Sequence, residues 1–471
     1  MLIYRLRENY ILRGWDKLSW VLIHRPENSY KKLEREEFQV LLLCDGKTDL
    51  AGDYFTDGMQ SKLKFFEKKG IVEVCKYNTF LESEQYYQYY DNRFVDSIFW
   101  SITGYCNFRC RHCYMDAPEG MLGELSYEDA IKFIDQMAEC GVLRVDITGG
   151  EPFVRKDFWQ LIDRIQYYKM AIGQVYTNGW LLTGDILDEF ERRNLRPEFS
   201  ISFDGVGWHD WMRGVKGAEN AALKALELCI RRGFPVNVEM CIHKGNYKTL
   251  RETVNLLAKI GVTKMKVGNV SQTELWKKNS EGNAMDDRTY AEIMLQYIPD
   301  FFQDQMPMNI MLIGLITLYK GSKEYENIPM KYSGTEDCLE HVLCGAVRYS
   351  CYITPEGRLL PCMPMTACKE QEKFPLVQEI GLKKGLSDSF YMKIADSRVK
   401  DLLEANPKCA ACEHKYQCGG GCRAIALEQT GDLMGCDGNQ CMFWKEGYVD
   451  RIRQVTEEAI AKYCTNNEGI S

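Results

Sequence analysis

The stretch Cys106-Asn-Phe-Arg-Cys110-Arg-His-Cys113-Tyr114 decides how this chain is read. Its three cysteines stand at spacing x3 then x2, directly after the apolar run Ser97-Ile-Phe-Trp-Ser-Ile-Thr103. Three thiolates in one tight loop offer three corners of a metal centre and leave the fourth without a local ligand. Structural zinc is closed by four protein ligands. An iron–sulfur cluster is held by cysteine thiolates, and an iron left without one is free for a substrate or cofactor. An open corner implies chemistry.

Outward from this loop the pattern alternates. Strands are predicted at 98–103, 143–148, 172–177, 199–203, 235–242 and 263–268, with helices between and after them. Helix 126–140 starts at Ser126, a good N-cap, and ends before Gly141. Helix 219–232 carries Ala222, Ala225, Leu226, Cys229 and Ile230 at helical spacing, and helix 247–260 stops at Gly261. Six βα units imply α/β architecture, a partial (β/α)6 TIM-type barrel over 97–305. Chemistry in such folds sits at the C-terminal ends of strands. The cysteine loop follows strand one. Gly149-Gly150-Glu151-Pro152 follows strand two, where glycines admit a ligand to the backbone and a carboxylate can accept from an ammonium group. Thr177-Asn178-Gly179 follows strand three. Ser202 and Asp204 share one face of an extended segment after strand four, and Arg213-Gly214 lies beyond.

The rest of the 471-residue chain frames this core. A hydrophobic fraction of 45% and a charged fraction of 27% are those of an ordinary soluble protein. The net charge of −8 gives no reason to expect nucleic acid or an anionic membrane as partner. The longest apolar run, 310–319, is too short for a membrane span, and the first residues show no secretory pattern, so a cytoplasmic location is expected. Twenty cysteines then argue for metal or redox use. Eleven of them lie between Cys338 and Cys441, while Cys44, Cys75, Cys140, Cys229, Cys241 and Cys464 are scattered and read as small core hydrophobes. Residues 1–77 read as a small winged-helix-like α+β domain, with strands at 4–12, 20–24 and 71–75 and helices at 35–44 and 55–69. Residues 78–96 read as a linker, 306–337 as a connector, 338–447 as a cysteine-rich iron–sulfur domain, and 448–471 as a helix and tail.

With His112 before the third cysteine, the x3/x2 spacing resembles the signature of the radical S-adenosylmethionine (SAM) superfamily. The resemblance implies a [4Fe-4S] cluster on Cys106, Cys110 and Cys113, whose fourth iron takes the amino and carboxylate groups of SAM. One electron then cleaves SAM to methionine and a 5′-deoxyadenosyl radical. On the same resemblance Gly149, Gly150 and Glu151 hold the methionine amine, Ser202 and Asp204 the ribose, and Arg213 the SAM carboxylate.

Further on, Cys344-x12-Gly357-x4-Cys362 is followed by Cys409-x2-Cys412-x5-Cys418-x3-Cys422 and by Cys441. This looks like the SPASM domain, which carries two auxiliary [4Fe-4S] clusters. By that family's crossed ligation Cys409, Cys412, Cys418 and Cys441 hold the distal cluster, and Cys344, Cys362 and Cys422 the proximal one. Cys351 is taken as the fourth proximal ligand, with Cys338, separated from Cys344 by five residues, as the alternative. Cys368 and Cys436 are spare, though Cys436 competes with Cys441. The first 77 residues resemble the peptide-recognition element fused to many peptide maturases, which captures a precursor's leader as an added strand.

Together these features resemble a radical SAM/SPASM maturase of ribosomally made peptides. The resemblance implies SAM and three [4Fe-4S] clusters as cofactors, and a precursor peptide and a flavodoxin or ferredoxin reductant as partners. Thioether crosslinking is the first expected reaction, with carbon–carbon crosslinking or epimerisation as alternatives. The neighbour of Cys362 that acts as base in sulfatase-maturing relatives is Met363 here, so no catalytic base or hydrogen donor is named. A multi-cluster electron carrier and a zinc-stapled binding protein are the competing classes.

Overall fold

Short strands with one buried face open the chain, and turn residues set their order. A computed structural model describes residues 1–25, 29–52, 54–115 and 122–464. β1 (Ile3–Leu6), β2 (Tyr10–Asp16), β3 (Leu18–His24), β4 (Ser29–Lys32), β5 (Asp45–Asp49), β6 (Val72–Val74) and β7 (Gln88–Arg93) form two small sheets, ordered β5-β1-β6 and β4-β3-β2-β7. Helices Arg35–Leu43 and Asp57–Lys68 pack on them around Leu6, Leu12, Leu22, Val40 and Phe66.

The segment read as a linker is not a spacer. β7 pairs in parallel with β2 and completes the second sheet. Its polar composition suits an edge strand with one solvated face, which is why it reads as a linker. The same sheet is fastened to the rest of the chain. Trp15, fully buried, donates its indole N–H to the Cys140 carbonyl at 3.0 Å, and Arg93 donates to the carbonyls of Val347 and Arg348.

The main sheet holds β8 (Ser97–Ser101), β9 (Arg144–Thr148), β10 (Ala171–Thr177), β11 (Glu198–Ser202), β12 (Val236–Ile242), β13 (Lys264–Asn269), β14 (Asn309–Leu312), β15 (Ile316–Leu318), β16 (Tyr325–Asn327), β17 (Ser350–Ile353) and β18 (Leu359–Leu360). Their order is β16-β15-β14-β13-β12-β11-β10-β9-β8-β17-β18. The six expected strands, β8 to β13, are parallel neighbours at its centre. Two more parallel strands extend them: β14 beside β13, and β17 beside β8. The count of six is therefore low by two. β14 falls in the region read as a featureless connector, where the apolar run folds back at Gly314 (φ +81°) so that β15 pairs antiparallel with β14. β17 belongs to the cysteine-rich region, so that region is partly built into the sheet.

Amphipathic helices cover the sheet. Tyr127–Glu139 is capped by Ser126, whose hydroxyl accepts the Asp129 N–H, and it buries Ala130, Phe133, Ile134 and Met137. Phe158–Tyr167, Gly184–Arg192, Ala218–Arg231 and Leu250–Ile260 follow the next strands, the last ended by Gly261 in the left-handed conformation. The final helix, Tyr448–Tyr463, docks on Asp287–Gln303, where Tyr448 and Arg451 both reach Glu292. The tail read at 465–471 lies outside the described residues. Among the described residues no helix is long and apolar enough to cross a membrane.

Candidate active site

The C-terminal ends of β9 to β13 and the loop after β8 converge on one cavity of about 480 Å³. After β8 the chain runs beside the turn that follows β9. The Gly150 N–H donates to the Thr103 carbonyl at 2.8 Å and the Glu151 N–H to the Tyr105 carbonyl at 3.0 Å. A Cβ on Gly150 would stand 2.2 Å from the Tyr105 oxygen, so no other residue permits this approach. The cysteine loop closes over that platform. Cys106, Cys110 and Cys113 all line the cavity, with Gly149, Gly150, Ser202 and Arg213. The Phe108 N–H donates to Cys106 Sγ at 3.3 Å, and Arg213 Nη1 donates to Cys110 Sγ at 3.8 Å. Burial pushes the Cys106 thiol up to about 12 and also raises Cys110. A metal ion must displace those protons, so loading is coupled to pH. The donor set fits a cluster held by three thiolates, and the bare glycine backbone beside it fits the amino-acid end of SAM.

The helix His209–Arg213 and its left-handed cap Gly214 press on the back of the loop. Arg111 donates its N–H to the Met212 carbonyl and its Nε–H to the Trp211 carbonyl, and a Cβ on Gly214 would meet the Arg109 carbonyl at 2.6 Å. The element expected to bind the SAM carboxylate thus also holds the cysteine loop in shape.

Two expected cofactor contacts sit elsewhere. Asp204 is fully buried and does not line the cavity. Its carboxylate lies 2.7 Å from Arg213 Nε, accepts the Cys241 N–H at 3.1 Å, and stands 3.4 Å from His209. Burial would raise this carboxyl, but Arg213 and then His209 more than offset it and hold it well below the usual carboxylate range. Asp204 therefore positions Arg213, and Ser202 is the cavity-lining member of that pair.

Glu151 is likewise fully buried beneath the glycine turn. It accepts the Thr177 hydroxyl at 2.9 and 3.0 Å and the Asn178 N–H at 2.9 Å, clamping the end of β9 to that of β10. Burial pushes its carboxyl up to about 7. The unfolded chain ionises it near the usual carboxylate value, so its contribution to stability declines as pH rises from about 4.5 to about 7 and is level above that. Glu151→Gln is expected to flatten this decline, which is on the order of 3 kcal/mol. Urea titrations of the apo chain at pH 5 and pH 8 measure it, and an unchanged pH dependence contradicts it.

Sequence reading missed Glu239 and Lys266. They are register partners on β12 and β13, joined by a 3.1 Å ion pair, and both line the cavity. Charged residues alternating with apolar ones in 235–242 and 263–268 were the available signal. Met363 and Pro364, directly after Cys362, form part of the cavity wall, so the cysteine-rich region borders this site.

That region gathers its thiols in two places. Cys409, Cys412, Cys418 and Cys441 line one cavity of about 340 Å³, and Cys436 lines it too. Cys362 has Cys344, Cys422 and Cys368 as electrostatic neighbours. Cys351 is buried on β17, paired beside Ile98 within the main apolar core, and shares Tyr391 as a neighbour with Cys362. Its place in the parallel sheet is that of a core residue. Cys338 shares Tyr332 as a neighbour with Cys344 and Cys418. Cys368 donates its thiol to the Ala424 carbonyl inside the main core.

Residues 100–257 match the Radical SAM superfamily. The cysteine loop and the glycine turn fall within that match, so these residues form a radical SAM domain. Over 353 residues it is 27% identical to the AdoMet-dependent heme synthase of Methanosarcina barkeri, covering 72% of this chain and 93% of that protein. It is also 27% identical to the PqqA peptide cyclase of Granulibacter bethesdensis, over 70% of this chain and 83% of the relative. The fold matches the crystal structure of Streptococcus suis SuiB bound to precursor peptide SuiA with a TM-score of 0.64 at 17% identity, over 93% of this chain and all of that one. An electron carrier without radical chemistry does not account for the superfamily match.

Proposed function

We propose that this enzyme modifies a ribosomally made precursor peptide at an unactivated C–H bond. The observation that carries the peptide reading is the likeness to PqqA peptide cyclase over 70% of the chain. A fold shared with a peptide-bound structure over 93% of the chain supports it. Cys106, Cys110 and Cys113 would hold the SAM-binding cluster. Gly149, Gly150, Ser202 and Arg213 would hold SAM, with Glu151 and Asp204 fixing the turn and the arginine from beneath. Bound there, the cluster and SAM supply the hydrogen-abstracting 5′-deoxyadenosyl radical. The chain's own part is to exclude water, orient SAM on the glycine backbone and present the peptide between the Glu239–Lys266 pair and the Met363 wall. The N-terminal unit would receive the leader, and a flavodoxin or ferredoxin would supply the electron. A thioether remains the first choice of product. Co-expression with each short open reading frame found beside this gene, followed by mass spectrometry, tests it. A thioether or carbon–carbon crosslink lowers the mass by two hydrogens, and an epimerisation leaves it unchanged. Peptides that all stay unmodified overturn the proposal. The likeness to AdoMet-dependent heme synthase favours a second reading, a step in heme synthesis, which would leave every peptide untouched.

In the cysteine-rich region, Cys409, Cys412, Cys418 and Cys441 would hold a distal cluster, and Cys344, Cys362 and Cys422 a proximal one. Cys338 completes the proximal set, because Cys351 is a sheet-core residue and the Cys368 thiol is already bonded to Ala424. Cys338→Ala is then expected to lower iron by about four atoms per chain, the content of one cluster, while Cys351→Ala keeps it. The opposite result restores Cys351 as the ligand.

A further inference from the structure

The distal cavity has one thiol more than a cubane cluster has corners. Cys436 Sγ stands 3.6 Å from Cys409 Sγ. Two thiolates bound to one tetrahedral metal by bonds of about 2.3 Å are about 3.8 Å apart. In a [4Fe-4S] cube each iron takes three sulfides and a single thiolate, and thiolates on different corners point away from one another. A pair at 3.6 Å therefore cannot serve two corners, and it cannot share one.

One side chain holds both cysteines in register. Asn406 Oδ1 accepts the Cys409 N–H at 3.1 Å, while its Nδ2 donates to the Met434 carbonyl at 2.8 Å and to Cys436 Sγ at 3.5 Å. Arg423, fully buried, donates to the carbonyls of Leu433 and Gly435 and fixes the loop that brings Cys436 in. Next along, the Asp437 carboxylate accepts the N–H groups of Cys422 and Gln440, which ties this loop to the ligand segment on one side and to the helix bearing Cys441 on the other. Cys436 is thus built into the centre rather than lying beside it by chance.

We propose that Cys409 and Cys436 are alternative ligands of the same corner of the distal centre, so that this corner can exchange its thiolate. The proposal rests on the reading of that cavity as a [4Fe-4S] site. It differs from a competition between Cys436 and Cys441, because Cys409 is the thiol within exchange distance.

Iron and sulfide are measured on the full chain after anaerobic reconstitution. The parent is expected to hold about twelve iron atoms, three clusters of four. Cys409→Ala and Cys436→Ala alone keep that content, and the double variant loses about four iron atoms, as Cys412→Ala does. Iodoacetamide mapping adds a readout independent of iron: Cys436 is labelled in the loaded parent and protected in Cys409→Ala. If Cys409→Ala loses as much iron as the double variant, or if Cys436 stays labelled in it, the exchange is overturned. If the parent holds about eight iron atoms, or zinc in this cavity, the cluster reading falls and the exchange with it.

Discussion

Replacing Cys106, Cys110 and Cys113 together by alanine is expected to reduce 5′-deoxyadenosine release from SAM to background. All three thiols line the cavity that also holds Gly149, Gly150 and Arg213, so they are the groups placed to carry a cluster beside SAM. One further thiol, Cys241, lines the same cavity, and burial raises it strongly. A single thiol cannot hold a cubane, so it does not rescue the triple variant. The cysteine-rich region keeps its own ligands, and the variant should remain brown with about four iron atoms fewer than the parent. Release that persisted in the triple variant would move radical generation to another centre. Loss of all iron would mean that the clusters do not assemble independently.

The second large effect is expected from Asp204→Ala. Arg213 is buried, and its Nε lies 2.7 Å from the Asp204 carboxylate. Burial works against this guanidinium, but Asp204 together with the Cys110 and Cys241 thiols more than offsets it and raises its pKa. Removing the carboxylate leaves an uncompensated buried charge beside Cys110, at a cost of about 3–5 kcal/mol. That is a large share of the stability of a typical domain. The helix His209–Arg213, which braces the cysteine loop through Trp211 and Met212, should loosen with it. Urea denaturation of the apo chain measures the first effect, and equilibrium binding of SAM to the reconstituted enzyme the second. A variant as stable as the parent, with unchanged SAM affinity, would show that the pair is dispensable.

Much of this was legible before any fold was seen. Glycine and serine punctuation located helices at 126–140 and 247–260, and apolar runs located six central strands. Strand order at the sheet's edges was not legible, because β14 and β17 are four residues each and take their pairing from neighbours far along the chain. The cysteine loop declared itself through spacing, since metal geometry acts over a few residues. Asp204 and Glu151 illustrate the opposite case. Their positions after strand ends matched a cofactor role, yet whether a carboxylate faces a cavity or a buried arginine depends on side-chain direction, which a sequence does not record. Cys351 and Cys338 divide the same way: both are near Cys344 in sequence, and only the sheet shows that Cys351 pairs beside Ile98 in the main core.

In the proposed reaction the cavity beneath the cysteine loop takes a hydrogen atom from a peptide carbon. The decisive measurement supplies a candidate precursor peptide, one whose co-expression with the enzyme changes its mass, deuterated on carbon, with SAM and a reductant, and weighs the products. The expected result is 5′-deoxyadenosine carrying one deuterium, formed in step with modified peptide. Unlabelled 5′-deoxyadenosine accompanied by unmodified peptide would contradict it.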